Sequence, residues 1–200
     1  MDPSIDTLTD GPAERPLHRL RDFVDTLDAL IARTDDEAIL LTEGGRALAG
    51  LIAHDDWLPD SYAKPDPERY RQYLLHRGSA GGYSVVSFVW GPGQNTPVHD
   101  HTVWGLVGVL RGAEIAERYA VGPGRLDPLG SERLEAGAVV AVSPRVGDVH
   151  RVRNAFQDRV SISIHVYGAD ISAVPRHIFD ESGRPKEFIS GYADAPALSF

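Results

Sequence analysis

In PVHDHTVWGL, His99 and His101 stand one residue apart, a spacing that could do chemistry. In a strand, side chains two positions apart share a face, so both imidazoles would project together and could grip a metal ion. A glutamate three or four residues later would complete a common β-barrel metal site. Trp104, Gly105 and Leu106 follow at that distance instead, and none can hold a metal. Two chance histidines on a plain strand would give the same pair, so the spacing alone leaves both readings open. A second pattern lies in SISIHVYG, where Ser161, Ser163, His165 and Tyr167 alternate with Ile162, Ile164 and Val166. If that polar face is buried, its groups must find hydrogen-bond partners. If it faces solvent, it means nothing. The other histidines invite plainer readings: His18, His54 and His177 sit among charged residues in helical or loop contexts, and His76 ends YLLHRG.

The elements that must position these residues follow from periodicity. Leu17, Leu20, Val24, Leu27 and Ile31 recur at helical spacing, giving one apolar stripe. Thr34, three residues before Glu37, reads as a capping box opening a second helix to about Gly50. RYRQYLLH is either a helical turn or a first strand. Beyond residue 80 come short β-rich runs, YSVVSFVW, VWGLVGVL, AEIAERYAV, GAVVAVS, VHRVRNAF and RVSISIHVYG, punctuated by Gly, Pro, Asn and Asp. The expected fold is mainly β: a small antiparallel jelly-roll barrel at about residues 70–180, with an N-terminal helical layer over 17–58. Residues 1–16, rich in Pro and Asp, read as a loose arm, and 17–200 as one domain.

Composition excludes several functions. The 200 residues contain no cysteine, which rules out disulfides, thiolate metal sites and cysteine nucleophiles. A formal charge of −9 argues against a nucleic-acid partner, and an anionic substrate would need local arginines. No apolar run is long enough to span a membrane, and the N-terminus lacks a signal-peptide pattern, so a cytoplasmic location is expected.

The flanks of the histidine pair give it a context. Gly93, His99, His101 and Gly112 resemble the first cupin motif, with Gly105 in its glutamate position. In GAVVAVSPRVGDVHRVRN, the residues Gly137, Pro144, Gly147, His150 and Asn154 follow the second, with one extra residue on each side of Pro144. The resemblance implies a metal site of three neutral histidines, His99, His101 and His150, and no carboxylate. Such a set leaves the ion's charge uncancelled, favours an anionic ligand such as a thiolate, and keeps open positions for substrate and oxygen.

WGPGQNTPVHDH, then VGDVHRVRN, then S-x-H-x-Y resemble in order the thiol dioxygenases, the cysteine dioxygenase family of cupins, over roughly residues 70–180. That resemblance implies ferrous iron, Fe(II), at His99, His101 and His150, and a hydrogen-bonded relay of Ser163, His165 and Tyr167. Animal members carry a cysteine cross-linked to the relay tyrosine; the corresponding place here is about Gly105, so Tyr167 is an unmodified phenol.

HDHTVWGLVGVLRG looks like the bacterial subgroup that oxidises 3-mercaptopropionate. It implies Gln72 where cysteine dioxygenases have an arginine, and Arg176 as the carboxylate binder. Arg69, Arg71 and Arg77 crowd that alignment, and Arg71 facing the site would favour cysteine. The implied reaction adds both atoms of O2 to the sulfur of a small thiol carboxylate, giving a sulfinate. The alternatives are a cysteine dioxygenase and a non-catalytic metal-binding cupin.

Overall fold

The computed structural model describes residues 17–196 and 198, so the arm expected at residues 1–16 lies outside the described residues. Helix α1 (Leu17–Arg33) buries Leu20, Phe23, Val24, Leu27 and Leu30 on one face, while Leu17 and Ile31 lie at its half-buried margin. Helix α2 (Glu37–Ile52) packs beside it and runs two residues past the expected end. Its cap differs from the expected Thr34–Glu37 box. Asp36 adopts extended backbone and accepts from the N–H groups of Ala38 and Ile39, because a short carboxylate directly before the helix reaches the free amides of the first turn. Thr34 instead accepts from the Asp36 N–H at 3.0 Å, and Glu37 accepts from Ser143 Oγ at 2.7 Å, tying the helix to the barrel.

The remainder is antiparallel β structure. A five-stranded sheet has the order β1 (Arg71–Arg77), β2 (Ser84–Trp90), β8 (Ser161–Tyr167), β3 (Gly105–Arg111), β6 (Val139–Val142). A second sheet orders β5 (Arg125–Glu135), β4 (Ala113–Gly122) and β7 (His150–Asn154), and β9 (Arg176–Phe179) pairs with β10 (Pro185–Phe188). RYRQYLLH is thus resolved as strand. Three strands had no counterpart in the sequence reading. β5 escaped because Pro128, Gly130 and its charges break the alternation, which an exposed edge strand tolerates. β9 and β10 are only four residues each, too short for a periodicity.

Alternation in the five-stranded sheet separates two cores. Val85, Val89, Ile162, Ile164 and Val166 face the helices and pack with Leu20, Leu27, Leu48 and Trp57. Val86, Phe88, Trp90 and Tyr167 face the other way, into a smaller core shared with Val152 of β7. All seven residues of β8 are therefore buried, and its polar face is the inside of the barrel, not the solvent side. Among the described residues no helix is long and apolar enough to cross a membrane.

Candidate metal centre and active site

His99 and His101 do not sit in a regular strand, as the spacing had suggested. His99 lies in an isolated bridge, exchanging backbone hydrogen bonds with His150 of β7 at 2.9 and 3.0 Å, and His101 lies in the turn before β3. The two imidazoles nonetheless meet that of His150 in one cluster. The ring centroids of His99, His101 and His150 are 4.8–4.9 Å apart, and one nitrogen from each lies within 4.8 Å of the others. All three residues are buried.

The ring orientations are held from outside. His99 Nδ1 lies 3.1 Å from the Pro97 carbonyl oxygen, and His101 Nδ1 lies 2.8 Å from Asp148 Oδ1. Both partners only accept, so each Nδ1 carries a proton and Nε2 is the nitrogen left to face a metal. Burial lowers the pKa of His99 to about 3 and drives that of His150 far down, keeping both rings neutral. Three converging imidazoles, two of them held neutral by burial, fit a first-row divalent metal.

Asp148 does more than orient one ring. It also accepts from the backbone N–H groups of His101 and Thr102, at 3.0 and 2.9 Å. Thr102 has φ of 60°, the one positive-φ residue other than glycine among the described residues, and these bonds hold that strained turn beside His101. Burial pushes the Asp148 carboxyl up, but the bonds from His101 and Thr102 outweigh it and hold it below its usual range. Asp100 plays a parallel part. It accepts from the His177 N–H at 2.7 Å and meets His177 Nδ1 at 2.9 Å, tying the bridge to β9. His177 is therefore in a strand supporting the site, not in the expected helix or loop. His18 and His54 are exposed, and the His76 ring packs near Tyr83.

On β8, Ser163 Oγ lies 2.8 Å from His165 Nε2, and His165 Nδ1 lies 2.8 Å from Tyr167 Oη. Phe88 stacks on His165 with centroids 3.9 Å apart, and Trp90 Nε1 donates to Ser163 at 3.1 Å. Burial drives the His165 pKa down and the Tyr167 pKa up, so both stay neutral. The Tyr167 ring lies 5.5 Å from that of His101. Gly105 is its register partner on β3: a Cβ there would fall 3.1 Å from Tyr167 Cδ1 and 3.0 Å from Val142 Cγ2. The position that resembles the cupin glutamate is thus filled by the tyrosine ring.

A cavity of about 310 Å³ opens onto His99 and Tyr167 and is lined by both Gln72 and Arg176. Arg176 is buried, its guanidinium 4.7 Å from the centre of the Phe188 ring and one end held by Ser190 Oγ. Its Nε has no partner among the described residues. Ser190 Oγ also reaches Gln72 Oε1 at 3.4 Å. Arg71 is held by Asp66 and does not line this cavity. Phe188 and Ser190 went unread because they lie on or after β10, beyond the expected barrel. Asp148 and Asp100 had a local signal, standing within VGDVH and HDH, but nothing in those strings shows which histidine each one serves.

Fold and site together define a cupin with a cluster of three histidines able to hold a metal ion. The family model for cysteine dioxygenase type I matches residues 50–182, and the chain belongs to that family. It is 27% identical over 117 residues to cysteine dioxygenase type 1 of Danio rerio, covering 56% of each chain. The enzyme of the same name from Homo sapiens is 27% identical over 124 residues, covering 60% of each. The chain thus spans less than two thirds of the curated relatives it matches. Among solved structures, a Thermus thermophilus protein aligns with TM-score 0.43 and 20% identity, over 55% of this chain and 92% of its own. A double-stranded β-helix protein of Klebsiella pneumoniae aligns with TM-score 0.40 and 25% identity, over 54% and 84%.

Proposed function

We propose that this protein is a thiol dioxygenase that converts a small thiol carboxylate and O2 to a sulfinate, with 3-mercaptopropionate as the substrate its cavity suits best. The observation that carries the substrate is the buried Arg176, with an unpartnered Nε, lining one cavity with His99 and Tyr167. A planar guanidinium can bind a carboxylate through two charge-assisted hydrogen bonds, and a buried unpaired donor gains most from doing so. Among the described residues no Asp or Glu lines that cavity. The ammonium of cysteine or cysteamine would have no counter-charge there, whereas 3-mercaptopropionate carries none.

His99, His101 and His150 would hold the metal, for which ferrous iron is our assignment. When bound, a ferrous ion supplies a Lewis-acidic centre with open positions where thiolate sulfur and O2 can meet. Arg176 anchors the carboxylate and so fixes where the sulfur lies. Tyr167 presents a neutral hydroxyl, held at 2.8 Å from His165, to the reacting end of the cavity. The balance is R–S⁻ + O2 → R–SO2⁻, and it needs no external reductant.

The test is anaerobic loading with ferrous iron, then oxygen uptake with 3-mercaptopropionate, cysteine and cysteamine. The expected result is fastest uptake with 3-mercaptopropionate and a product bearing two added oxygen atoms. A preference for cysteamine would overturn the role of Arg176, and no uptake with any of the three would overturn the activity.

A further inference from the structure

Glu114, on β4, is the one fully buried carboxyl among the described residues, and neither of its oxygens makes a well-formed hydrogen bond. Its register partners are Leu134 on β5 and Asn154 on β7. Leu134 is apolar, and the Asn154 amide is taken up by the carbonyls of Trp90, Gly91 and Arg159 and by Ser161. Along the same faces, by strand alternation, Glu132 of β5 comes two residues away, Arg118 of β4 four, and His150 of β7 four. On β8 the titratable groups are His165 and Tyr167. The polar groups that act on Glu114 directly are Ser163 and the Trp90 indole. Burial outweighs both and raises its pKa to about 7. A group fully desolvated behind a hydrogen-bonded relay, and unused by the reaction, calls for a physical role.

The proton count along the chain supplies one. Neutral His165 has one N–H and one bare nitrogen. If Nδ1 holds the proton, it donates to Tyr167 Oη, and Ser163 donates to Nε2. The Tyr167 proton is then free to point into the cavity. Ser163 Oγ, already accepting from Trp90, keeps one lone pair, which a protonated Glu114 can fill as donor. If Nε2 holds the proton, every bond reverses. Ser163 accepts from both His165 and Trp90, its own proton needs an acceptor, and a Glu114 carboxylate is the acceptor available. Tyr167 then spends its proton on His165 and offers the cavity only a lone pair.

We propose that Glu114 is a positioning residue that sets the direction of the Ser163–His165–Tyr167 relay, aiming the Tyr167 proton at the cavity when it is a neutral acid and withdrawing it when ionised. The catalytic consequence rests on the thiol dioxygenase reading; the hydrogen-bond direction does not.

The experiment reads the direction itself. Side-chain ¹⁵N shifts of His165 and the carboxyl ¹³C shift of Glu114 are followed in the zinc-loaded protein, a diamagnetic stand-in, from about pH 5.5 to pH 8.5. The expected result is that the His165 proton moves from Nδ1 to Nε2 with the same midpoint as the Glu114 carboxyl. In Glu114→Gln and Glu114→Leu the tautomer should not change across that range. A His165 tautomer that stays constant in the wild type, or that shifts identically in either variant, overturns the proposal. The wild-type comparison decides even if neither variant folds. With the ferrous protein, kcat for 3-mercaptopropionate should fall above neutral pH in the wild type and lose that limb in Glu114→Gln, with KM within about twofold. Absence of any oxygen uptake would sink the function proposed above while the ¹⁵N result still decided this one.

Discussion

Asp148 holds His101 twice over, by the ring Nδ1–H at 2.8 Å and by the backbone N–H at 3.0 Å, across 47 residues of sequence. One carboxylate therefore fixes both where the His101 ring stands and which nitrogen it leaves open. Removing it frees the ring to flip and releases the positive-φ turn at Thr102.

Asp148→Asn should weaken metal binding by about 10–100-fold, because the amide nitrogen would face a backbone N–H and only one acceptor remains. Competition titration of zinc against a chelator measures this. Unchanged affinity would mean that the turn, not Asp148, orients His101.

Arg176→Met keeps the length and apolar stem while removing the charge. It should raise KM for 3-mercaptopropionate by about 10–100-fold, the worth of a charge-assisted carboxylate pair. Any slow reaction with cysteamine, which has no carboxylate, should survive. Steady-state oxygen uptake with both thiols separates the two outcomes.

Gly105→Ala places a methyl 3.1 Å from the Tyr167 ring and 3.0 Å from Val142. Two buried neighbours must yield, so a loss of about 1–3 kcal/mol in stability is expected, by chemical denaturation. Glu at the same place should not create a fourth ligand; it should displace Tyr167 and lower kcat. A crystal structure of Gly105→Glu with the tyrosine unmoved would contradict this.

Glu114 gives the pH dependence of stability a definite sign. Its pKa rises from 4.5 to about 7 on folding through burial, so between those values the folded state holds the proton the unfolded state has lost. Wild-type stability from this group is complete below about pH 4.5 and declines as pH rises toward 7, then levels off. Glu114→Gln does not titrate there. Its stability relative to the wild type should therefore increase by about 2 kcal/mol between about pH 5 and pH 8. Paired urea melts at the two pH values measure it, and a constant difference would show that the carboxyl is not desolvated as described.

Much of this site was legible before any coordinates. Alternation in SISIHVY put serine, histidine and tyrosine on one face because side chains in a strand change sides at every residue, whatever the rest of the chain does. The stripe on α1 was legible for the same local reason, and the spacing around His99, His101 and His150 singled out, through resemblance, the three histidines that the fold brings together. What that alternation left open was which face was inside. The helices decided it, by covering Ile162, Ile164 and Val166 and leaving Ser163, His165 and Tyr167 to the barrel interior.

Other features existed only in the folded chain. Asp148 with His101, Asp100 with His177, and Glu114 beside Ser163 join residues far apart in the chain, and tertiary packing rather than local periodicity sets such meetings. Arg176 acquired its buried place from β9, β10 and the Phe188 ring, elements too short to read from their own residues. Sequence by itself determined which side chains each strand presents and on which of its faces. Tertiary structure decided which of them lost water together, and desolvation is what turns a carboxyl, a guanidinium and three imidazoles into groups with defined charge, proton position and purpose.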